Sequence, residues 1–278
     1  MGRDGSLRLG FERRGPTTVL TERRFTLPLQ ALEPMDLDGT GVATLMLLNP
    51  TGGLLGGDRL DTVVTVGAGG RVCLTTPAAT RVYRTAAAPA MQRLRATVGA
   101  GAALEYLPDH LIPSPGARLE QSTEIVLADD ATAILLDAWA VGRAARGEAW
   151  RFGALDIATV VSDPRGPLLV ERVRLDAGDA RRGWPRGSGG AEGMAYMATL
   201  AALSPSARDW GALVDDLRAA LAATGGELRH GVTALARGGV LARLLAPTAP
   251  ALQGSVERLW ALCRGRLLGL PPLDLRKL

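Results

Sequence analysis

Two carboxylates lie where the hydrophobic pattern predicts the interior of the protein. Residues 131–141 read ATAILLDAWAV, which is apolar on both faces of a strand except at Thr132 and Asp137. Glu171 shares its predicted strand face with leucine and valine, while the neighbouring arginines point the other way. An isolated buried carboxylate costs several kcal/mol unless it is paired, hydrogen-bonded or in contact with internal water. Two interpretations stay open: internal ion pairs with arginine or backbone hydrogen bonds, or a polar passage whose oxygen ligands hold a divalent ion briefly.

A glycine-rich loop is the second candidate for chemistry. Residues 45–84 contain an apolar run, a loop and then short alternating segments, and the loop glycines are Gly52, Gly53, Gly56 and Gly57. Such a loop after a strand suggests a phosphate cradle. Here, however, Asp58 and Arg59 follow the last glycine in place of Lys and Ser or Thr, and 60–66 is rich in β-branched residues instead of predicting a helix. The sequence therefore argues against nucleotide binding.

Composition excludes several classes of function. The net charge of +4 comes from arginines scattered along the chain, without the clustered charge and interleaved aromatics of a nucleic-acid surface. The cysteines, Cys73 and Cys263, lie far apart, which excludes a disulfide framework and disfavours a closed zinc site. Neither His110 nor His230 belongs to a metal-ligand or catalytic cluster. No apolar stretch suits a membrane span, and 1–14 lacks the apolar core of a signal peptide, so we expect a cytoplasmic protein.

Short strands separated by turns dominate the predicted secondary structure. The predicted strands are an early one at 16–29, then 60–66, 71–75, 91–98, 118–127, 155–161, 168–175, 227–236 and 240–245. A hairpin turn is predicted at 163–166, and the Gly/Arg-rich segment 178–193 is interpreted as a mobile loop. Helical spacing appears only after Pro205, placed as a first-turn proline, and again at 250–263. The sequence predicts one mainly β domain over 1–278, with two helices in its C-terminal third.

Two long motifs give a resemblance to a known family. The chain reads NPTGGLLGGD at 49–58 and TTPAATRVYR at 75–84, followed by LEYLPD at 104–109. This order resembles the signature of the UreD family of urease accessory proteins, called UreH in some bacteria. The resemblance implies a stacked-sheet, β-helical body with two helices, and a non-catalytic scaffold for nickel insertion. It also implies binding to apo-urease and to a UreF-type helical partner, as a hetero-oligomer, with a UreG-type GTPase recruited through UreF.

The resemblance also implies site residues. In this family an internal tunnel is thought to let nickel travel toward urease, and the positions that match its lining are Asp58, Thr80, Asp137 and Glu171. It implies nickel in transit, with no permanent metal site or cofactor. Asp58 has an equal alternative as a turn residue that binds the backbone N–H groups following it in the chain. The remaining motif residues match the family without an assigned role: Asn49, Gly52, Gly53, Gly56, Gly57, Tyr83 and Arg84.

Other functions compete with this interpretation. A β-helical carbohydrate-active enzyme could use Asp137 and Glu171 as an acid/base pair. Aromatics make up only 4% of the chain, however, which is few for the platforms that bind sugar rings. A plain interaction module without a metal role is a third possibility. The leucine-rich tail, 267–278, either contacts a partner or packs internally.

Overall fold

The computed structural model describes residues 3–176, 191–206, 208–224, 228–275 and 277. Most of the predicted mobile loop at 178–193 therefore lies outside the described residues. The strands are β1 (Asp4–Arg14), β2 (Thr17–Thr26), β3 (Gln30–Ala31), β4 (Ala43–Leu48), β5 (Arg59–Val66), β6 (Arg71–Thr75), β7 (Thr80–Val82), β8 (Ala90–Val98), β9 (Ala103–Leu107), β10 (Leu111–Pro113), β11 (Arg118–Leu127), β12 (Thr132–Ala140), β13 (Ala154–Asp163), β14 (Gly166–Asp176), β15 (Tyr196–Leu203), β16 (Arg229–Ala234) and β17 (Gly239–Ala246). The α-helices are α1 (Trp210–Ala222) and α2 (Ala249–Leu268), and a short 3₁₀ helix spans Ala144–Arg146.

In the middle of the chain, the strands alternate between two stacked sheets. One sheet has seven strands in the order β14-β13-β11-β8-β5-β1-β2. The other has ten strands, with β16-β17-β15-β12-β9-β6-β4-β3 as its main path. The central neighbours pair in parallel, β5 with β8 and β8 with β11 in one sheet, and β6 with β9 and β9 with β12 in the other. The chain thus winds as a solenoid of stacked coils, which confirms the predicted mainly β, stacked-sheet fold.

Antiparallel pairs close the seven-stranded sheet at both ends. At one end β1 pairs in parallel with β5 and antiparallel with β2. At the other end β13 and β14 form the antiparallel hairpin whose turn was predicted at 163–166. The early strand predicted at 16–29 is confirmed as β2, whereas β1, whose inner face carries Leu7, Leu9 and Phe11, was not predicted.

The protein has three layers and two apolar cores. The inner faces of the two sheets pack together, with Leu45, Leu104 and Leu119 among the buried side chains. The outer face of the ten-stranded sheet packs against both helices, around residues such as Leu244 and Leu259. Strands β9 and β12 lie between two apolar layers, so their side chains are buried or half-buried on both faces.

Both predicted helices are present with different bounds. The first begins at Trp210 and not near Pro205, because the Asp209 side chain accepts a hydrogen bond from the Ala212 N–H at 2.9 Å and caps the helix there. The second extends beyond the predicted 250–263 to the αL cap at Gly269. None of the helices in the described parts of the chain is long and apolar enough to cross a membrane.

The described part of the C-terminal tail packs on the protein. Leu270 is buried, and Leu273 and Leu275 pack against the helix-side core. Lys277 Nζ donates to Asp109 Oδ2 at 3.0 Å. These contacts account for the tail leucines by internal packing.

Candidate functional site

Asp137 lies on the inner face of β12, between the two sheets. Its Oδ1 accepts a hydrogen bond from Gln121 Nε2 at 3.0 Å, and its Oδ2 accepts one from Thr159 Oγ1 at 2.8 Å. Both donors come from the seven-stranded sheet, on β11 and β13. Within the described part of the chain, the carboxylate is therefore held by neutral groups and by no arginine.

The surroundings of Asp137 disfavour its negative charge. Burial raises the pKa of Asp137 to about 6; the hydrogen bond from Thr159 lowers it, the nearby charge of Glu171 raises it further, and the bond from Gln121 lowers it. At neutral pH the group is mostly ionised, at a cost in free energy. A cation close to Asp137 would reduce that cost.

Glu171 lies nearer the protein surface on β14. Its Oε1 accepts a hydrogen bond from Thr199 Oγ1 at 3.1 Å and lies 3.4 Å from Arg243 Nη2. The Glu171 side chain is 12% exposed, and its Oε2 atom is buried with no hydrogen-bond partner among the described residues. One carboxylate oxygen is thus positioned by the protein, while the other is free to bind a further group.

These side chains form two facing polar rows. In the seven-stranded sheet, Thr123 pairs in register with Thr159, which pairs with Glu171. In the ten-stranded sheet, register joins Asp137, Thr199 and Arg243 in the same way. Between the rows is a cavity of about 20 Å³, whose lining includes both carboxylates and the three threonines. That volume accommodates about one water molecule.

A larger cavity adjoins the small one. It has a volume of about 300 Å³, and Tyr106 on β9 lines both cavities. Burial raises the pKa of Tyr106, and the charge of Asp137 adds to the effect, so its hydroxyl is neutral at physiological pH. Polar positions therefore run from Arg243 at one side, through the carboxylates, to Tyr106 and the larger cavity.

The two sequence motifs build the wall of the larger cavity. Asn49, Gly52, Gly53, Thr80 and Arg81 are among its lining residues. The motifs are joined by backbone hydrogen bonds, from the Leu54 N–H to the Arg81 carbonyl at 2.8 Å and from the Tyr83 N–H to the Leu54 carbonyl at 2.9 Å. Thr80 thus borders the larger cavity and not the small one, which holds Asp137 and Glu171.

Close packing explains several of the motif residues. Gly53 has φ of 147°, and a Cβ there would lie 2.4 Å from the Arg81 carbonyl oxygen. Asn49 Nδ2 donates to the Gly53 carbonyl at 3.1 Å, and the Tyr83 hydroxyl donates to the Gly52 carbonyl at 3.3 Å. These residues hold the loop against the second motif.

The other motif residues lie near the following loop. A Cβ on Gly56 would lie 2.9 Å from Thr85 Cγ2, and Gly57 has φ of 85°, which favours glycine. Arg84 forms an isolated antiparallel bridge with Ala117. These three positions shape the backbone and line neither cavity.

Asp58 is placed apart from the other predicted tunnel residues. Its side chain accepts hydrogen bonds from the Arg3 N–H at 2.9 Å and the Leu55 N–H at 2.8 Å, and the residue is 1% exposed. Asp58 does not line either cavity. It joins the glycine loop to the N-terminal strand, and this geometry fits the backbone-binding alternative, although the donors precede Asp58 where following ones were expected.

Six polar side chains around the two carboxylates were not singled out from the sequence: Tyr106, Gln121, Thr123, Thr159, Thr199 and Arg243. Strand alternation could have placed Thr159 and Arg243 on inner faces, because the residues two positions away are apolar. Their meeting with Asp137 and Glu171 depends on register across two sheets, which alternation alone does not specify.

A second buried polar cluster lies beneath α2. Arg264 is fully buried, with Nη2 3.0 Å from Asp38 Oδ2 and Nε 3.4 Å from Glu105 Oε1. The Trp260 indole donates to Glu105 Oε2 at 2.5 Å. Burial raises the pKa of Glu105, although Arg264 and the indole lower it. This cluster attaches α2 to the ten-stranded sheet.

The cysteines are buried near the same cluster. Burial raises the pKa of Cys263 to about 12, with a further rise from the charge of Glu105, and burial likewise raises the pKa of Cys73. Both thiols are therefore protonated and unreactive at neutral pH. Across the described ranges, no group of three or more His, Cys, Asp or Glu side chains could hold a metal ion.

The fold and the site define a β-solenoid protein that encloses a row of carboxylate and hydroxyl groups between its sheets. A sequence model described as "UreD urease accessory protein" matches residues 3–277. Relatives named urease accessory protein UreD include one from Cupriavidus metallidurans, 34% identical over 98% of this chain and 92% of the relative. One from Alkalilimnicola ehrlichii is 37% identical over 96% of this chain and 88% of the relative, and one from Actinomyces naeslundii is 33% identical over the full length of both. The chain belongs to the UreD family of urease accessory proteins.

Proposed function

We propose that this chain is a non-catalytic scaffold that binds apo-urease and passes nickel to it through the space between the two sheets. The observation that carries the proposal is the line of oxygen groups from Glu171 through Asp137 to Tyr106 and the larger cavity. The relatives are named accessory proteins, which fits a role in urease maturation without catalysis.

The ligand chemistry suits transit. Carboxylate and hydroxyl oxygens bind divalent nickel more weakly than imidazole or thiolate does, so an ion can leave as well as enter. The small cavity admits about one water, so the ion would exchange most of its hydration shell for protein oxygens there. The free Oε2 of Glu171 is one ligand available for that exchange.

The shape of the small cavity weighs against the carbohydrate-active alternative. A sugar ring needs several times the volume of about 20 Å³ that lies beside Asp137 and Glu171. The proposal therefore treats these carboxylates as ligands in transit and not as an acid/base pair.

We further propose the division of labour found in such assemblies. A UreF-type helical protein binds this chain and recruits a UreG-type GTPase, which supplies the nucleotide binding. The glycine loop here is not suited to that task, because it packs against a second strand motif and does not open onto a helix N-terminus. In this scheme the cytoplasm is the site of assembly, and nickel is cargo, not a resident cofactor.

The test is urease maturation in cells that carry variants of this chain. Asp137→Ala with Glu171→Ala should lower the nickel content and activity of purified urease while the variant still copurifies with apo-urease and the UreF-type protein. The matched control is Glu120→Ala with Glu124→Ala, which removes two exposed carboxylates from the outer face of β11. Nickel content would be measured by mass spectrometry of the isolated urease.

The control pair should leave urease fully loaded. Normal nickel loading with the double variant at 137 and 171 would refute the passage. Loss of copurification with either partner would instead assign the carboxylates a structural role and would also contradict the proposal.

A further inference from the structure

We infer that Arg243 is a gating residue of the inter-sheet route, the line of polar groups from Glu171 through Asp137 to Tyr106. Its guanidinium pairs with Glu171 at the outer end of this route until a divalent cation displaces it. This inference rests on the proposed function, because it describes how the route would be closed when no ion is present. It concerns a side chain on β17 that lies in neither sequence motif.

Arg243 lies in line with the polar groups of the route. Register places it in one row with Thr199 and Asp137 on the inner face of the ten-stranded sheet. The neighbouring inner residues on β17, Leu241 and Leu245, are apolar and join the inter-sheet core. Arg243 is therefore the charged residue on that face of the strand, at the point where the facing sheet ends with β14.

Arg243 and Glu171 differ strongly in their exposure to solvent. The side chain of Arg243 is 65% exposed, whereas that of Glu171 is 12% exposed. The guanidinium thus contacts a mostly buried carboxylate from the solvent side. It can move into water without breaking any packing in the core, because most of its surface is already hydrated.

The contact between Arg243 and Glu171 is weak. The shortest distance is 3.4 Å, beyond a good charge-assisted hydrogen bond, and an exposed ion pair of this kind is weak and screened by salt. Thr199, not Arg243, positions Oε1, and Oε2 has no hydrogen-bond partner within the described part of the chain. A divalent ion binding to Oε2 would place positive charge beside the guanidinium and repel it.

An empty route needs such a countercharge. Asp137 and Glu171 both line the small cavity, whose described lining contains no arginine or lysine. Among the described residues, Arg243 is the basic side chain that contacts one of these carboxylates. Arg243 compensates this charge without supplying a metal ligand, since a guanidinium donates hydrogen bonds only. The gate is therefore electrostatic and reversible.

The test is Ni²⁺ binding by the full-length chain, measured by equilibrium dialysis at low ionic strength with metal analysis. Arg243→Ala should bind Ni²⁺ about two- to fivefold more tightly than the unmodified protein, the range that loss of a competing exposed ion pair allows. Arg243→Lys should behave like the unmodified protein. The gain should shrink in 0.5 M salt, where the Debye length falls to roughly half its physiological value.

Arg172→Ala is the matched control. Arg172 is next to Glu171 on the same strand but faces outward, where its side chain is 60% exposed and forms an ion pair with Asp156. Its removal changes net charge by the same amount and should leave Ni²⁺ affinity unchanged. Equal tightening by both variants would reduce the effect to long-range charge and overturn the gate.

The carboxylate variants distinguish a failure of the proposed nickel route from a failure of the Arg243 gate. If Asp137→Ala with Glu171→Ala binds Ni²⁺ as the unmodified chain does, the proposed route itself fails. If that variant loses binding while Arg243→Ala binds no more tightly, the gate alone is refuted. Adding Glu171→Gln to Arg243→Ala should abolish the gain, and circular dichroism melting of each variant verifies that it folds.

Discussion

Replacing Asp137 by Asn should stabilise the protein at neutral pH while impairing its function. Asn keeps the shape of the side chain and can still accept the hydrogen bond from Thr159, and the Gln121 amide can rotate to accept from the new amide group. The substitution removes the negative charge that burial disfavours. We therefore expect a stability gain confined to pH values at which Asp137 is ionised.

The magnitude follows from the pKa of Asp137, which burial raises from 3.8 to about 6 in the folded protein. Because the folded pKa lies above the unfolded one, this group's contribution to stability is fully present below pH 3.8 and is lost as pH rises through about 6. A shift of roughly two units corresponds to about 3 kcal/mol at neutral pH. Solvent screening of a half-buried carboxylate reduces the expected gain to about 1–2 kcal/mol.

The assay is urea unfolding of the unmodified protein and Asp137→Asn at pH 7.5 and at pH 4. The free energy of unfolding should differ by about 1–2 kcal/mol at the higher pH and by less than about 1 kcal/mol at the lower. Urease matured with the variant should contain less nickel, because an amide is a poorer ligand than a carboxylate. Stability and delivery would then change in opposite directions.

Asp163→Asn is a comparison with the opposite sign. Burial alone would raise the pKa of Asp163, but Arg237 and Arg165 donate to its carboxylate and hold the pKa below its ordinary value. Its contribution to stability is present above the unfolded pKa and is lost in acid, so this variant should be destabilised at pH 7.5. Destabilisation of Asp137→Asn at pH 7.5, or a gain of equal size at both pH values, would refute the reasoning for Asp137.

Two further predictions concern the framework around the site. Arg264→Met should lower the free energy of unfolding by about 3–5 kcal/mol in urea titrations, since it leaves Glu105 and Asp38 buried without their countercharge. Adding Glu105→Gln should recover part of the loss. An unchanged urea midpoint for the single variant would contradict this account. Gly53→Ala should destabilise the protein because the new Cβ would meet the backbone of the second motif, whereas Gly254→Ala, with open space in α2, should gain about 0.5–1 kcal/mol. Equal effects of the two glycine substitutions on the melting temperature would show that the loop tolerates a side chain.

The sequence predicted the elements of this fold better than their contacts. Strand β11 was predicted with its observed bounds, because Leu119, Ile125 and Leu127 share one face while Arg118, Glu120 and Glu124 share the other. The start of α1 was misplaced because Pro205 suggested a first turn, whereas the capping hydrogen bond to Asp209 decides where the helix begins. Local side-chain chemistry of this kind competes with simple residue preferences.

The site was predictable in part for the same reason. Alternation along β12 and β14 indicated that Asp137 and Glu171 face inward, since each lies among apolar residues of its own strand. It could not reveal that Thr199 and Arg243 meet Glu171, because those contacts join strands of different sheets. Nor could alternation separate Asp58 from the other predicted tunnel residues, because the two backbone N–H groups that donate to Asp58 come close to it only in the folded loop.

The antiparallel ends of the seven-stranded sheet have a consequence for assembly. A stack of parallel coils has no intrinsic length, because each coil leaves an edge on which another could form, whether from the same chain or from a second copy. Strand β2 lies at one such edge and carries Glu22, Arg23 and Arg24 in succession, all at least partly exposed. Charge at an open edge discourages strand addition. The reversed strand thus sets where the coil stops, and it protects a sheet built by repetition from continuing into a fibre.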